Sequence, residues 1–89
     1  MQIRIERHTA IQAAERGATA AEIEDTMETG IQISAKRGRL SRSKVFDFHT
    51  TWRGHYCQQK RVVVVYVMAE GVAVTVTVYV FYGQWKDRT

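Results

Sequence analysis

The longest apolar stretch of the chain is VVVVYVMAEGVAVTVTVYVFY, residues 62–82, in which ten of the twenty-one residues are valine. Its length is about that of a membrane-spanning helix, but Glu70 lies near its middle, where an acidic side chain costs about 2.5–3.5 kcal/mol. Branched Val and Thr side chains favour strands over helices. After Gly71 the apolar positions alternate with a period of two. The stretch therefore predicts a β-hairpin that turns at Glu70-Gly71.

A two-residue turn would give this hairpin two different faces. One face is aliphatic, with Val65 opposite Val76 and Val63 opposite Val78, and we expect it to pack on the core. The other face is mixed and partly polar, and it carries Lys60, Val62, Val64, Tyr66, Met68, Ala73, Thr75, Thr77, Tyr79 and Phe81. Glu-Gly is a weaker turn signal than Asn-Gly, so a longer loop is an alternative. A slip of one residue would exchange the two faces of one strand.

The N-terminal third predicts two short helices. Thr9 to Gln12 and Thr19 to Glu22 both have the spacing of a capping box, and Gly17 and Gly30 suit helix ends. We therefore expect helices at residues 9–16 and 20–29, with thin apolar stripes that suit packing on the valine face of a sheet. Ile3 and Ile5 alternate with polar residues and predict a short edge strand within residues 1–6.

The middle of the chain predicts two further strands. Residues 31–34 (IQIS) indicate a short strand, and residues 36–44 (KRGRLSRSK) indicate a mobile loop. Residues 44–52 (KVFDFHTTW) indicate a strand that turns through residues 52–55 into the hairpin. The four strands of the sheet are then these two and the two of the hairpin, and the short strand within residues 1–6 is an additional edge strand. The predicted class is α+β: two N-terminal helices on one face of a four-stranded, mainly antiparallel curved sheet, in one domain over residues 1–89.

Charge is concentrated in the middle of the chain. The formal net charge is +4, yet residues 1–30 carry three basic and six acidic side chains, whereas residues 31–61 carry eight basic and one acidic. A basic segment of this kind favours a polyanionic partner, most often nucleic acid. A solvated loop is the alternative interpretation.

Cysteine and histidine usage bears on location and on metals. Cys57 is the one cysteine and cannot form an internal disulfide, and MQIRIERH lacks the apolar segment of a secretion signal. We therefore expect a reducing, cytoplasmic location and no membrane association. His49, His55 and Cys57 match no structural zinc spacing. The sequence also contains no Gly-rich phosphate loop, and it predicts neither a metal nor a cofactor.

Several segments resemble a family of small bacterial proteins related to the RelE- and BrnT-type toxin nucleases. The segments are His8 before a helix, ERGATAAEIEDTMETG at residues 15–30, and the terminal hairpin, of which TVYVFYGQW is the most specific part. The resemblance covers nearly the whole chain. It implies two helices on a curved four-stranded sheet, metal-independent cleavage of RNA, and restraint by an antitoxin.

Metal-independent cleavage of RNA requires a base for the 2′-hydroxyl, cations for the phosphate and an acid for the leaving oxygen. The resemblance singles out His8, and a helix N-terminus there favours the neutral imidazole that a base needs. Capping or packing is its alternative role. The candidate catalytic residues are His8, Lys60, Tyr66 and Tyr79. The tyrosines are also typical sheet-packing residues, and Lys60 could be an ordinary end-of-strand cation. The candidate phosphate-binding residues are Lys36, Arg37, Arg39, Arg42, Lys44 and Arg53.

Two classes of function fit these residues. The first is a RelE-like endoribonuclease of toxin-antitoxin type. The second is a non-catalytic module, or a degenerate toxin homologue, whose mixed sheet face binds RNA or a second protein. Aromatic side chains on an open sheet can stack on bases. An apolar and aromatic face is equally suited to a homodimer interface.

Overall fold

The computed structural model describes residues 1–85 as two helices and a five-stranded mixed sheet. The helices are α1 (Arg7–Arg16) and α2 (Ala20–Thr29), and the strands are β1 (Gln2–Arg4), β2 (Ile31–Lys36), β3 (Arg39–Trp52), β4 (His55–Ala69) and β5 (Val72–Gly83). The strand order is β1-β5-β4-β3-β2. The predicted α+β class is confirmed. The sheet has five strands rather than four because β1 adds to β5 in parallel, while the other pairs are antiparallel.

Three hairpins connect β2 to β5, and each has a two-residue turn that ends in glycine. The turns are Arg37-Gly38, Arg53-Gly54 and Glu70-Gly71, and all six residues have positive φ, from 50° to 87°. Positive φ at both positions is the geometry of type I′ turns, whose twist matches that of the flanking strands. The turn predicted at Glu70-Gly71 is confirmed. The mobile loop predicted at residues 36–44 is wrong, because this segment forms the turn and strands of the β2–β3 hairpin.

The predicted hairpin register holds only near its turn. Pairing runs as predicted from Ala69 with Val72 to Tyr66 with Thr75. A bulge then leaves Val76 without a paired residue on β4, so Val64 pairs with Val78 instead of Thr77. Because of this extra residue, each β5 side chain after the bulge lies on the opposite face of the sheet from the one that the pairing near the turn would give.

On β4, and on β5 before the bulge, the two faces of the hairpin are the reverse of the prediction. After the bulge, Val78 is buried and Tyr79 and Phe81 are exposed, as predicted. Residues of the predicted mixed face, including Val64 and Tyr66, are buried under the helices. Val65 and Val67, of the predicted core face, are half-buried on the other side of the sheet. The helices thus cover most of the predicted mixed face, while Met68, Tyr79 and Phe81 of that face remain exposed.

The core lies between the helices and this covered face. Small or flexible helix residues pack on the valine-rich strands, and the buried cluster contains Ala13, Ala18, Ile23, Met27, Val62, Val64, Tyr66, Ala73 and Val78. α2 begins with the predicted capping box, in which Thr19 Oγ1 accepts from Glu22 N at 3.1 Å and Glu22 Oε1 accepts from Thr19 N at 2.9 Å. The box predicted at Thr9 is wrong, since α1 begins earlier, after Glu6.

No helix within residues 1–85 is long and apolar enough to cross a membrane. The valine-rich stretch forms strands.

Candidate nucleic-acid interface

One side of α1 lies along the outer edge of β5, beyond the point where β1 ends. His8, Gln12 and Arg16 are spaced four residues apart, so they share one face of the helix. His8 Nε2 lies 3.0 Å from the carbonyl oxygen of Val76, and Gln12 Oε1 accepts from Val78 N at 2.9 Å. Arg16 Nη1 donates to the carbonyl oxygen of Val78 at 2.5 Å. These side chains satisfy backbone groups that an edge strand would otherwise expose.

The contact to Val76 determines which nitrogen of His8 carries the proton. A carbonyl oxygen can only accept, so Nε2 must donate, and in the neutral ring Nδ1 is left with a lone pair. Thr9 Oγ1 lies 3.3 Å from the same Nε2. The imidazole is exposed. His8 therefore has a structural contact on one nitrogen and a free basic site on the other.

Two adjoining hollows open beside this edge, and together we call them the β5-edge cleft. One has a volume of about 470 Å³ and is lined by His8, Ile11, Gln12, Glu15, Arg16 and Arg53. The other has a volume of about 460 Å³ and is lined by Arg16, Trp52, Arg53, Tyr79, Val80, Phe81 and Tyr82. Arg16 and Arg53 line both hollows, so two guanidinium groups lie where the hollows meet.

A stack of flat side chains forms one wall of the cleft. The ring of Trp52 stacks on that of Tyr82 with centroids 4.9 Å apart and planes 16° apart, and Arg53 lies 5.4 Å above the Trp52 ring. Arg53 occupies the first position of its turn with φ of 50°. The strands thus fix the position of this cation through a tight turn and a stacked ring.

The end of α1 fits against this wall because residue 17 is glycine. A Cβ atom at Gly17 would lie 2.2 Å from the Tyr82 hydroxyl, and the φ of Gly17 is 91°. The Tyr82 hydroxyl donates to the carbonyl oxygen of Arg16 at 2.5 Å. Burial, and then the charge of Glu22, raise the pKa of Tyr82, so its hydroxyl keeps its proton at neutral pH.

Exposed aromatic rings continue the cleft onto the face of the sheet that no helix covers. Tyr79 and Phe81 are 45% and 51% exposed, their centroids lie 6.5 Å apart, and the guanidinium of Arg16 lies 5.5 Å from the Tyr79 ring centre. Arg61 pairs with Phe81 across the strands and donates to Ser43 Oγ at 3.3 Å. Its buried Nε has no hydrogen-bond partner within residues 1–85. Such rings and cations suit bases and phosphates.

The structure separates the four candidate catalytic residues. His8 and Tyr79 border the cleft, whereas Lys60 and Tyr66 lie under the helices. Lys60 Nζ donates to the carbonyl oxygen of Gly17 at 2.7 Å and to Glu22 Oε1 at 2.8 Å. It holds the α1–α2 connection to the sheet. These contacts occupy Lys60 and keep it away from any substrate in the cleft.

Tyr66 is also a core residue in this fold. It is 2% exposed, and its hydroxyl accepts from Arg42 Nε at 3.2 Å. Arg42 Nη1 additionally donates to the carbonyl oxygen of Gly30 at 3.4 Å. The pair joins β3 and β4 to the end of α2.

The candidate phosphate-binding residues divide into three groups. Arg42 and Lys44 contact the end of α2, and Lys44 Nζ lies 2.9 Å from both carboxylate oxygens of Asp25. Arg53 belongs to the β5-edge cleft. Lys36, Arg37 and Arg39 are exposed at the tip of the β2–β3 hairpin, where they line a hollow of about 820 Å³ with Ser34, Ser41 and Val65. This tip lies on the edge strand opposite to α1 in the strand order.

Five residues of the cleft were not among the predicted site residues: Gln12, Arg16, Trp52, Phe81 and Tyr82. Gln12 and Arg16 could have been predicted, because they lie four and eight residues after His8 and therefore share its helix face. The others come together only because α1 lies on the edge of β5, which no local pattern shows.

Within residues 1–85, no three His, Cys, Asp or Glu side chains are grouped closely enough to hold a metal ion. Comparison of the chain with protein-family models, curated proteins and solved structures gives no significant match.

Proposed function

We propose that the protein is a RelE-like RNA-binding protein that cleaves RNA without a metal, and that the β5-edge cleft is its site. The observation that supports this proposal is the combination of groups in one cleft. Arg16 and Arg53 supply two cations, Tyr79 and Phe81 supply exposed rings, and His8 supplies an oriented imidazole. The net charge of +4 adds a general attraction for polyanions.

Single-stranded RNA fits these groups better than a duplex does. Bases must be unstacked before they can stack on protein rings, and only single strands present them in this way. Tyr79 and Phe81 offer adjacent stacking surfaces. Arg16 lies 5.5 Å from the Tyr79 ring centre and Arg53 lines the same hollow, so both are available to the phosphates that follow. Stacking is sequence-tolerant because every base has a flat face. We therefore expect weak sequence preference.

The cleavage step uses His8 as base and Tyr79 as acid. His8 Nδ1 takes the proton of a 2′-hydroxyl, and the 2′ oxygen forms a bond to the adjacent phosphorus. The bond from phosphorus to the 5′ oxygen breaks, and that oxygen takes the proton of the Tyr79 hydroxyl. The products are a 2′,3′-cyclic phosphate and a 5′-hydroxyl end, and solvent restores both protonation states. Arg16 and Arg53 stabilise the charge that develops on the phosphate.

The test is cleavage of a short, labelled single-stranded RNA in the presence of EDTA, with mass spectrometry of the ends. His8→Gln keeps an N–H that can donate to the Val76 carbonyl but removes the base. We expect this variant to lose about 10²–10⁴ of the cleavage rate while its affinity for RNA changes little. Glu24→Gln, an exposed change on α2, is the control and should cleave as wild type. Wild-type rates in His8→Gln would contradict the proposal.

A non-catalytic RNA-binding module is the second candidate. The burial of Lys60 and Tyr66 favours it, because only His8 and Tyr79 remain of the four candidate catalytic residues. In that case wild-type protein binds the RNA without cutting it, and Arg53→Gln still weakens binding. Absence of RNA binding near physiological salt would exclude both candidates.

The resemblance to RelE-type toxins adds a cellular expectation. Expression of a toxin of this kind should arrest growth, and an antitoxin should relieve the arrest. His8→Gln should abolish the arrest if RNA cleavage causes it. Arrest that persists in this variant would point to binding alone.

A further inference from the structure

The two edges of the sheet differ in how they are covered. The β5 edge is covered by β1 and by side chains of α1. The outer edge of β2 has no neighbouring strand within residues 1–85. On this strand Ile31 and Ile33 are 47% and 45% exposed. An uncovered edge with exposed branched side chains is a template for another strand.

The two ends of the β2 edge carry opposite charge. α2 runs directly into β2, and its C-terminal end has a partial negative charge from the helix dipole. Residues 20–30 contain four acidic and no basic side chains. Glu22 and Asp25 are paired with Lys60 and Lys44, so the exposed Glu24 and Glu28 supply the acidic charge of this end that is unpaired within residues 1–85. The far end of β2 is the hairpin tip, with Lys36, Arg37 and Arg39. The edge is therefore acidic where it begins and basic where it ends.

We propose that the protein forms a homodimer in which β2 pairs antiparallel with β2 of a second copy. A two-fold axis through the strand pair places the basic tip of each copy beside the acidic α2 of the other. Parallel pairing would instead place tip beside tip and helix beside helix, which like charges disfavour. The pairing covers Ile31 and Ile33 and leaves the β5-edge cleft at the outer ends of a continuous sheet. The proposal is independent of the proposed RNA function.

Two features of β2 limit pairing without preventing it. A bulge interrupts its ladder with β3 between Gln32 and Ser34, and Lys36 stands near its end. With Ile33 opposite Ser34 of the second copy, Lys36 lies opposite Ile31 and not opposite another lysine. A strand of six residues also buries less area than the standard interface of about 1,600 Å². The dimer should therefore be weak and should dissociate on dilution.

The first test is sedimentation equilibrium of the full chain from about 1 μM to about 1 mM. We expect the wild-type mass to rise from 10.2 kDa toward twice that value, and to fall back at high salt. Ile33→Lys places a charge on the edge and should stay monomeric. Met68→Lys is the matched control, since Met68 is 49% exposed on β4, and it should dimerise as wild type. A monomeric wild-type protein, or a dimeric Ile33→Lys, would overturn the proposal.

The second test exchanges charges between the two ends of the edge. Arg37→Glu and Glu28→Lys change exposed residues, and Glu70 already occupies the same turn position as Arg37 in another hairpin. Each variant alone places like charges at positions 37 and 28 in both symmetry-related contacts. It should dimerise more weakly than wild type, because Lys36 and Arg39 remain at the tip and Glu24 remains on α2. An equimolar mixture should form a heterodimer, because both of its contacts then join opposite charges. Single variants that dimerise as wild type, or a mixture that stays monomeric, would overturn the antiparallel arrangement.

Discussion

Two lysines that the sequence suggested for an RNA site instead form ion pairs with the acidic helix α2. Lys44 contacts Asp25, Lys60 contacts Glu22, and both lie on the sheet face under the helices. The direction of each side chain depends on the register of its strand. The residue types alone therefore could not distinguish a phosphate ligand from a helix anchor. Arg53 could be predicted as a site residue because it lies in a turn, where its side chain is exposed in either register of the flanking strands.

The Asp25–Lys44 pair makes stability depend on pH in a defined direction. Hydrogen bonds from Lys44 and then from Thr29 lower the pKa of Asp25 from its ordinary value of 3.8. The unfolded chain therefore binds a proton at Asp25 more readily than the folded protein does. The ion pair stabilises the fold fully above pH 3.8, and this stabilisation is lost as the pH falls through the lower pKa of the folded state. Asp25→Asn should lower the free energy of unfolding at neutral pH. It should also reduce the loss of stability that wild type shows as the pH falls into the acid range, which we call the acid limb of the stability curve.

Urea unfolding across a pH series measures this effect. Glu24→Gln is the control, because Glu24 lies on the same helix and forms no ion pair within residues 1–85. Its acid limb should follow that of wild type. Parallel curves for wild type and Asp25→Asn would contradict the assignment.

The pattern of apolar residues predicted the two helices and the hairpin, but it did not predict which face of the hairpin the helices cover. Residues 62–67 of β4 are apolar at every position, so neither face was marked as polar. The bulge at Val76 then changes which β5 side chains lie on each face of the sheet, and no residue type in the sequence marks the position of this bulge. The face is decided by packing, since Tyr66 fills the space beneath small helix residues and finds a donor in Arg42.

Adjacent valines of β4 test this face assignment. Val64 is fully buried under the helices, whereas Val65 is half-buried on the other face. Val64→Asp leaves a buried, unpaired charge and should cost about 3–5 kcal/mol or more, enough to unfold a small domain. Val65→Asp should remain folded with a smaller loss of stability, because this side chain is only half-buried. Thermal melts of the two variants measure this, and a more severe loss in Val65→Asp would reverse the faces.

Positive charge lies at both edges of the sheet. Arg16 and Arg53 lie in the cleft beside β5, and Lys36, Arg37 and Arg39 lie at the hairpin tip beside β2. The sequence showed one basic segment at residues 31–61, and folding distributes its cations among the cleft, the tip and α2. His8, Arg53 and Tyr79 were predicted members of a site, but their proximity depends on the long-range placement of α1 on β5.

The separation of the two basic regions gives different salt dependence for their variants. For a single-stranded RNA of about four nucleotides, which suits one small site, Arg53→Gln should lower the slope of log affinity against log salt by about 0.7. Arg37→Gln should leave that slope unchanged, because the tip lies at the opposite edge of the sheet. Fluorescence anisotropy over a salt series measures both slopes. Equal losses in the two variants would mean that the RNA reaches the hairpin tip, and the cleft would not be the primary site.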